Sequence, residues 1–289
     1  MSVKIKDKVN RSKTERVFVI FTVIILALYA ITLIYPFVWI FINSFKKAND
    51  FVKDIWGFPT SFFMKNWIDA FNLVVPNVNV DFKGMYLNTI FFVIVNVSVS
   101  LFFNAISAYV VAKYPFKIMK IIYSVALIFF VVPMFGSVAT IYKFVNDVNL
   151  YDTYLGVIIL SMQYFGVTFL FLYSFFRSLS WTYAEAAFID GAGHFRVFIS
   201  IMMPMSIPAL GALGIMGVIG TWNDFFTVYM YAPSKATIGV GLHVLSLNIR
   251  GEYPKLFAAM FISMVPIVVL FSVFQKTIME NVSFGGIKG

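Results

Sequence analysis

Six long runs of apolar residues, each free of Asp, Glu, Lys and Arg, divide the chain. They cover about residues 17–45, 84–112, 121–142, 153–176, 197–223 and 256–275. A helix needs roughly 20 such residues to cross a hydrocarbon core about 30 Å thick. The pattern therefore predicts an all-α membrane protein in which residues 1–289 form one domain with six transmembrane helices.

The composition supports a fold that is set by a lipid bilayer. Apolar residues make up 61% of the 289 residues, charged residues only 12%, and the mean hydropathy is +0.88. A soluble chain has about 45–50% apolar and about 25% charged residues, so a soluble enzyme is excluded. Because the chain has no cysteine and only two histidines, His194 and His243, we expect no metal site. Both histidines are expected in solvated loops.

The distribution of charge predicts the orientation of the chain. With both termini in the cytoplasm, the inner segments hold 13 of the 22 Lys and Arg residues but only five of the 13 Asp and Glu residues. Cytoplasmic loops of membrane proteins carry such an excess of positive charge. The net charge of +9 is thereby explained without a nucleic-acid partner.

Two outer loops are long enough to carry structure. The first, about residues 46–83, contains Trp56 and Trp67, which indicate a helix lying at the membrane surface. The second, about residues 231–255, is rich in Gly and Pro and is predicted to be irregular.

The inner segment of about residues 177–208 has the most specific pattern. Thr182 and Glu185 have the spacing of a capping box, and Gly191 stands where a helix would end in a left-handed conformation. We therefore predict a two-turn helix from about Tyr183 to Asp190. Its small and apolar side chains, which would let another surface approach, are Ala186, Ala187, Phe188 and Ile189.

This segment resembles the EAA motif of the permease subunits of ABC importers. The matching positions are Glu185-Ala186-Ala187, Asp190-Gly191-Ala192, Ile201 and Met203-Pro204, with Met in place of the usual Leu. Three further segments resemble the MalG-like subunit of carbohydrate importers. They are Ala108-Tyr109 with Lys113-Tyr114-Pro115-Phe116, then Trp222-Asn223-Asp224, and the tail Gly285-Gly286-Ile287-Lys288-Gly289.

The resemblance implies a MalG-like type I importer fold and a set of partners. These are a second homologous permease, two copies of a separate ATPase that binds ATP and Mg²⁺, and an extracellular or periplasmic solute-binding protein. The location implied is the plasma membrane of a bacterium or archaeon. The residues implied to couple the chain to the ATPase are Glu185, Ala186, Ala187, Asp190, Gly191, Lys288 and Gly289. The loop between the fifth and sixth runs is expected to reach the binding protein.

Polar residues within the runs are candidates for a solute pathway. Asn88, Asn96, Ser100, Asn104 and Ser107 lie roughly on one face of the second predicted helix. They could bind sugar hydroxyls or hold helices together, since Asn and Ser also bond across helices in lipid. The pathway candidates are Asn96, Ser100, Asn104, Trp222, Asn223 and Asp224. The row Gly211, Gly214, Gly217 and Gly220 predicts close packing against a partner permease or a flexible gate.

Motifs for chemistry are not found in the sequence. No G-x-x-x-x-G-K-[ST] phosphate loop is present, so ATP hydrolysis is assigned to a separate subunit and no catalytic residue is expected. The lack of charge within the six runs argues against an ion-driven carrier. The alternatives that remain are an ABC permease for another solute and, further off, a stand-alone carrier or a membrane enzyme acting on lipid-linked sugars.

Overall fold

The computed structural model describes residues 13–72, 80–131, 137–162, 165–248 and 251–282, with side chains up to residue 275. A π-helical turn, Phe198–Met202, and a 3₁₀ turn, Pro233–Lys235, accompany the α-helices of these ranges. The α-helices are α1 Lys13–Asn43, α2 Ala48–Lys53, α3 Lys65–Phe71, α4 Phe82–Lys113, α5 Lys117–Val131, α6 Ser137–Asp147, α7 Tyr154–Ser161, α8 Val167–Ser178, α9 Thr182–Ile189, α10 His194–Val197, α11 Met203–Met205, α12 Ile207–Asn223, α13 Phe226–Tyr231, α14 Ile238–Asn248 and α15 Tyr253–Val282.

Three described helices are long and apolar enough to cross a membrane. They are α1, α4 and the segment Tyr253–Gln275 of α15. A fourth crossing would be a bent pair, His194–Met205 followed by Ile207–Asn223, whose two parts meet at 74°. These four correspond to the first, second, sixth and fifth apolar runs, so the membrane-embedded, all-helical class is found while the six uninterrupted spans are not.

The fourth run is divided into two shorter helices. It holds α7 and α8, and Phe165 between them has a φ of 63°. A positive φ is incompatible with a right-handed helix. Composition alone could not show this break, because the residues around it are apolar. The third run holds α5 and α6, and residues 132–136 between them lie outside the described ranges.

Helix α4 joins two separate buried clusters. Near its beginning, Phe82, Met85 and Phe92 pack in a cluster formed with α3, α7, α12, α13, α14 and α15. Near its end, Ala108 and Tyr109 pack in a second cluster with α5, α8, α9, α10 and the beginning of α12. The middle of α4 therefore lies between the two clusters, and it contains the polar residues Asn96 and Ser100.

The segment that follows α1, residues 44–72, is anchored by side chains that bond to the backbone. The Nδ2 atom of Asn66 in α3 donates to the carbonyl oxygens of Ser44, at 2.8 Å, and Lys46, at 2.7 Å. Asp54 accepts from the backbone N–H groups of Gly57, at 2.8 Å, and of residue 56, at 3.0 Å. Because these donors stabilise the carboxylate, they hold the pKa of Asp54 below its ordinary value.

The predicted irregular loop at residues 231–255 is wrong, because it contains the eleven-residue helix α14. Ile238, Val240 and Val244 are buried in the first cluster, and burial of this apolar face outweighs the low helix propensity of its glycines. His243 is half-buried, and its ring stacks on Phe225 with 4.4 Å between the ring centroids. The expectation that His243 is a solvated loop residue is therefore also wrong.

Candidate functional site

The short inner helix α9 begins differently from the prediction. It starts at Thr182, one residue early, and the capping residue Trp181 makes no side-chain hydrogen bond to the helix. The predicted capping box of Thr182 and Glu185 is therefore wrong. Thr182 already lies in the first turn of the helix. The Oγ of Ser180 accepts from the backbone N–H of Thr182 at 3.3 Å and so satisfies one of the free N–H groups at the start of α9.

The end of α9 follows the prediction closely. Gly191 has a φ of 81°, the left-handed conformation that the sequence predicts. Its N–H donates to the carbonyl oxygen of Phe188 at 3.0 Å, and the N–H of Ala192 donates to that of Ala187 at 2.9 Å. This pair of bonds is a Schellman motif. It fixes the direction in which the chain leaves α9.

The two faces of α9 have different surroundings. Ala184 and Ala187 are buried in the second cluster. The opposite side is exposed and combines apolar with acidic side chains, among them Ile189, which is 86% exposed. The exposed members are Tyr183, Glu185, Ala186, Ile189, Asp190 and Gly191. Four of the predicted coupling residues thus lie on an open surface, and Ala187 attaches the helix to the protein.

Aromatic contacts tie α9 to the end of α4. The ring of Trp181 lies 5.9 Å from the rings of both Tyr114 and Phe188. The hydroxyl of Tyr114 is hydrogen-bonded to Nδ1 of His194 at 2.8 Å, so this exposed histidine has a partner. Lys113 adds a bond from its ammonium to the carbonyl oxygen of Leu179. Because these contacts come from both sides of α9, the helix is held against α4.

A bent arm connects α9 to α12. The arm consists of α10, the π-helical turn and α11, and it meets α12 at the 74° bend. Ser206 at the bend is completely buried, and its Oγ donates to the carbonyl oxygen of Met203 at 2.8 Å. Pro204 and Pro208 flank it and supply no N–H for helical bonds, which is a sufficient cause of the break.

A polar cavity of about 550 Å³ lies between the two buried clusters. It is formed by the middle of α4, the end of α7, the beginning of α8 and the second half of α12. Its polar lining residues are Asn96, Ser100, Ser161, Thr168, Thr221, Asp224 and Thr227. Discontinuous helices around a polar cavity are typical of transporter binding sites.

Asn96 is the least satisfied polar group of this cavity. The residue is 4% exposed, and its Oδ1 has no hydrogen-bond partner among the described residues. An unsatisfied buried acceptor costs about 1–3 kcal/mol. The neighbouring Asn104 is also buried but lies outside the lining, and its Nδ2 donates to the carbonyl oxygen of Ser100 at 2.8 Å.

The three consecutive candidates at the end of α12 face two cavities: Trp222 and Asn223 line a separate cavity of about 340 Å³, and Asp224 lines the polar one. Trp222 is buried in the first cluster, edge-on to Tyr86 with ring centroids 6.0 Å apart. Asn223 is exposed, and its Nδ2 donates to the carbonyl oxygen of Ile219 at 2.8 Å. Asp224 lines the cavity, and its Oδ1 accepts from the N–H of Thr227 at 3.0 Å. The structure thus brings together Asn96, Ser100 and Asp224 from the six pathway candidates.

The glycine row of α12 packs partly within the chain. A Cβ on Gly214 would lie 3.3 Å from Leu101 of α4, and one on Gly217 would lie 3.4 Å from Val97. At Gly211 and Gly220 a Cβ would meet no atom within 4 Å, and Gly220 lines the cavity. The close packing predicted for this row is therefore made, at two of its positions, with α4.

Four lining residues escape the sequence analysis: Ser161, Thr168, Thr221 and Thr227. Ser161 and Thr168 lie at the break between α7 and α8, which the apolar run conceals. The coupling candidates Lys288 and Gly289 lie outside the described residues.

Comparison with known families identifies the class of protein. Residues 104–283 match the family described as "Binding-protein-dependent transport system inner membrane component". The chain belongs to this family, and the resemblance of its inner segment to the permeases of ABC importers is confirmed. It is a membrane component of a binding-protein-dependent transport system.

Relatives with related descriptions cover nearly the whole chain. It is 28% identical to the "Diacetylchitobiose uptake system permease protein NgcG" of Streptomyces coelicolor, over 95% of this chain and 90% of the relative. It is 28% identical to the "Probable ABC transporter permease protein YurM" of Bacillus subtilis, over 92% and 87%. It is 26% identical to the "Melibiose/raffinose/stachyose import permease protein MelC" of Bacillus subtilis, over 96% and 99%.

A solved structure has the same fold. It is described as "Crystal structure of a bacterial ABC transporter involved in the import of the acidic polysaccharide alginate". The TM-score is 0.75 at 22% sequence identity, and the match covers 92% of this chain and 98% of the other. The arrangement of helices is therefore that of an ABC importer permease.

Proposed function

We propose that this chain is the permease subunit of an ATP-driven importer for a carbohydrate, and that it forms the translocation pathway with a second permease. Two separate ATPase subunits bind ATP and Mg²⁺ and supply the energy, and an external binding protein delivers the solute. The carbohydrate assignment is supported by relatives described as permeases for diacetylchitobiose and for melibiose, raffinose and stachyose. Both chain termini and the exposed face of α9 lie on the cytoplasmic side.

The observation that carries the proposal is the exposed face of α9. An apolar side chain that is 86% exposed, Ile189, stands beside Glu185 and Asp190 on a helix whose other face is buried. Apolar side chains exposed next to charged ones mark interaction surfaces. The Schellman motif and the aromatic contacts of Trp181 keep this face in one orientation, as a docking helix requires.

The arm between α9 and α12 supplies a route for coupling. A movement of α9 caused by ATPase closure is transmitted through α10, the π-helical turn and α11 to the buried bend at Ser206. Beyond the bend, α12 contributes Thr221 and Asp224 to the cavity. The docking surface and the cavity are thus connected by one continuous part of the chain.

Purification of the tagged chain from its native membrane tests the proposed assembly. In mild detergent we expect mass spectrometry to identify an ATPase, a second permease and a solute-binding protein in the same complex. Preparations in which the chain stays folded but no ATPase is recovered would contradict the proposal.

A matched pair of charge reversals tests the docking surface. Glu185→Lys should leave the amount of chain in the membrane unchanged and reduce the recovery of the ATPase by about tenfold or more, since one reversed charge in an interface costs more than 1.4 kcal/mol. Glu252→Lys is the control, because Glu252 is also exposed but lies on another part of the molecule, where it pairs with Lys255 at 3.6 Å. Equal ATPase recovery in both variants would contradict the role of α9.

A further inference from the structure

The polar cavity has a single charge. Of its described lining residues, Asp224 is the one with an ionisable side chain, and the other polar groups are hydroxyls and the amide of Asn96. No Lys or Arg stands among the described lining residues, so the carboxylate of Asp224 gives this part of the cavity a negative potential.

The uncharged groups of the cavity suit a solute with many hydroxyls. The Oδ1 of Asn96 lacks a donor, and a hydroxyl of a sugar can donate to it. The lining also holds Ser100, Thr168 and Thr221, whose hydroxyls both donate and accept. Neutral polyols match this set of groups without any change in charge.

An acidic sugar would meet a repulsive charge in the same place. Asp224 lies between the end of α12 and the beginning of α13, and its Oδ1 accepts from the N–H of Thr227, so the repulsion comes from the carboxylate itself. Two like charges within one cavity are close enough to repel each other. Anionic solutes are therefore disfavoured.

We propose that Asp224 determines the charge selectivity of the cavity, so that the solute is an uncharged or positively charged sugar and acidic sugars are excluded. This inference rests on the proposed function only for its choice of sugars as the solute. The contribution of Asp224 to the potential is a property of this chain, and variants at Asp224 isolate it from the charges of any partner. It can be measured without ATP, a binding protein or a known solute.

Charged thiol reagents measure this potential directly. The chain has no cysteine, so Ser100→Cys places one nearly isosteric thiol in the lining. The probes are two methanethiosulfonates of similar size, one with a trimethylammonium group and one with a sulfonate, applied to the full transporter in native membranes. After division by their rates with a free thiol, we expect the cationic reagent to react about fivefold faster.

Variants at Asp224 decide whether this residue is the cause. Asp224→Asn keeps an Oδ1 that can accept from Thr227 and should reduce the ratio of rates by about fivefold. Asp224→Glu keeps the charge and should preserve the ratio, as should Glu252→Gln at the distant salt bridge. A ratio that is unchanged in Asp224→Asn, or that favours the anionic reagent in the parent, would overturn the inference.

Failure of the proposed function would give a different result. If the chain recovers no ATPase, the measured ratio still reports the sign of the cavity potential. If the ATPase is recovered but the ratio is indifferent to Asp224, only the charge selectivity is overturned.

Discussion

Asn96 and Asn104 lie eight residues apart on α4 and are both buried, but their side chains differ in hydrogen bonding. Asn104 donates to the carbonyl oxygen of Ser100 at 2.8 Å, whereas the Oδ1 of Asn96 has no partner among the described residues. Two similar residues in one predicted polar stripe thus have different physical roles. One holds the helix together, and the other faces the cavity.

This difference predicts opposite effects of the same substitution. Asn96→Leu removes an unsatisfied acceptor, so the free energy of unfolding should stay the same or rise by about 1–3 kcal/mol, while solute uptake falls. Asn104→Leu removes a hydrogen-bonded side chain and should lower the free energy of unfolding by about 0.5–1.5 kcal/mol. Thermal unfolding in detergent and uptake in whole cells measure the two effects. A loss of stability in Asn96→Leu with unchanged uptake would contradict the assignment.

The open space at Gly220 predicts that the cavity can be filled from α12. Gly220→Leu should insert a side chain into the cavity without a backbone clash and should reduce uptake strongly at normal ATPase recovery. Gly211→Leu is the control, because Gly211 has equal space on the same helix but does not line the cavity. The comparison uses initial uptake rates at matched amounts of protein in the membrane. Similar rates in both variants would show that solute does not pass this cavity.

The Schellman motif predicts a conformational cost at one of two nearby glycines. Gly191→Ala places a Cβ on a residue with a φ of 81° and should cost about 1–2 kcal/mol of local stability. Gly193 has a φ of −76°, and a Cβ at this position would meet no atom within 4 Å. Gly193→Ala should therefore be neutral or stabilise the protein by about 0.4–1 kcal/mol. Because the strain lies at the end of α9, ATPase recovery should fall only in Gly191→Ala. Equal recovery of the ATPase would exclude a role for this motif in docking.

Asn66 is predicted to be a main anchor of the segment that follows α1, residues 44–72. Asn66→Leu leaves the carbonyl oxygens of Ser44 and Lys46 without their donor and should lower the free energy of unfolding by about 2–4 kcal/mol. Asn72→Leu is the control, since Asn72 is exposed and bonds only to Ile68 of its own helix. Limited proteolysis of residues 44–66 should be faster only in the first variant. Equal protection in both variants would contradict the anchoring role.

The part of the fold that the sequence predicts is the part set by local rules. Gly191 ends α9 as expected because a left-handed residue strongly favours glycine. The break of the fourth run escapes prediction because Phe165 adopts a positive φ amid apolar residues, and hydropathy does not report φ. The sequence does not predict helix α14, because the burial of its apolar face in the first cluster outweighs the low helix propensity of its glycines.

The site is predictable only as far as each residue can be placed on its helix. Asn96 and Ser100 share a face of a long helix, so the sequence brings them together correctly. The neighbours Trp222, Asn223 and Asp224 stand at a helix end, where the first two line one cavity and the third lines another. Which of them faces the cavity depends on tertiary packing, which the sequence pattern does not contain.

The π-helical turn at Phe198–Met202 has a consequence for the alignment of related chains. A π turn closes its hydrogen bonds over one more residue than an α turn does, so it shifts the helical phase by one position, or about 100°. A homologue that reaches the same bend through a purely α-helical arm must do so with one residue fewer. Deletion of one residue in this turn should therefore restore an α-helical turn and leave the orientation of α9 relative to the bend unchanged. The number of residues between Glu185 and Pro204 can thus differ by one among related chains, and an alignment should place the gap within residues 198–202.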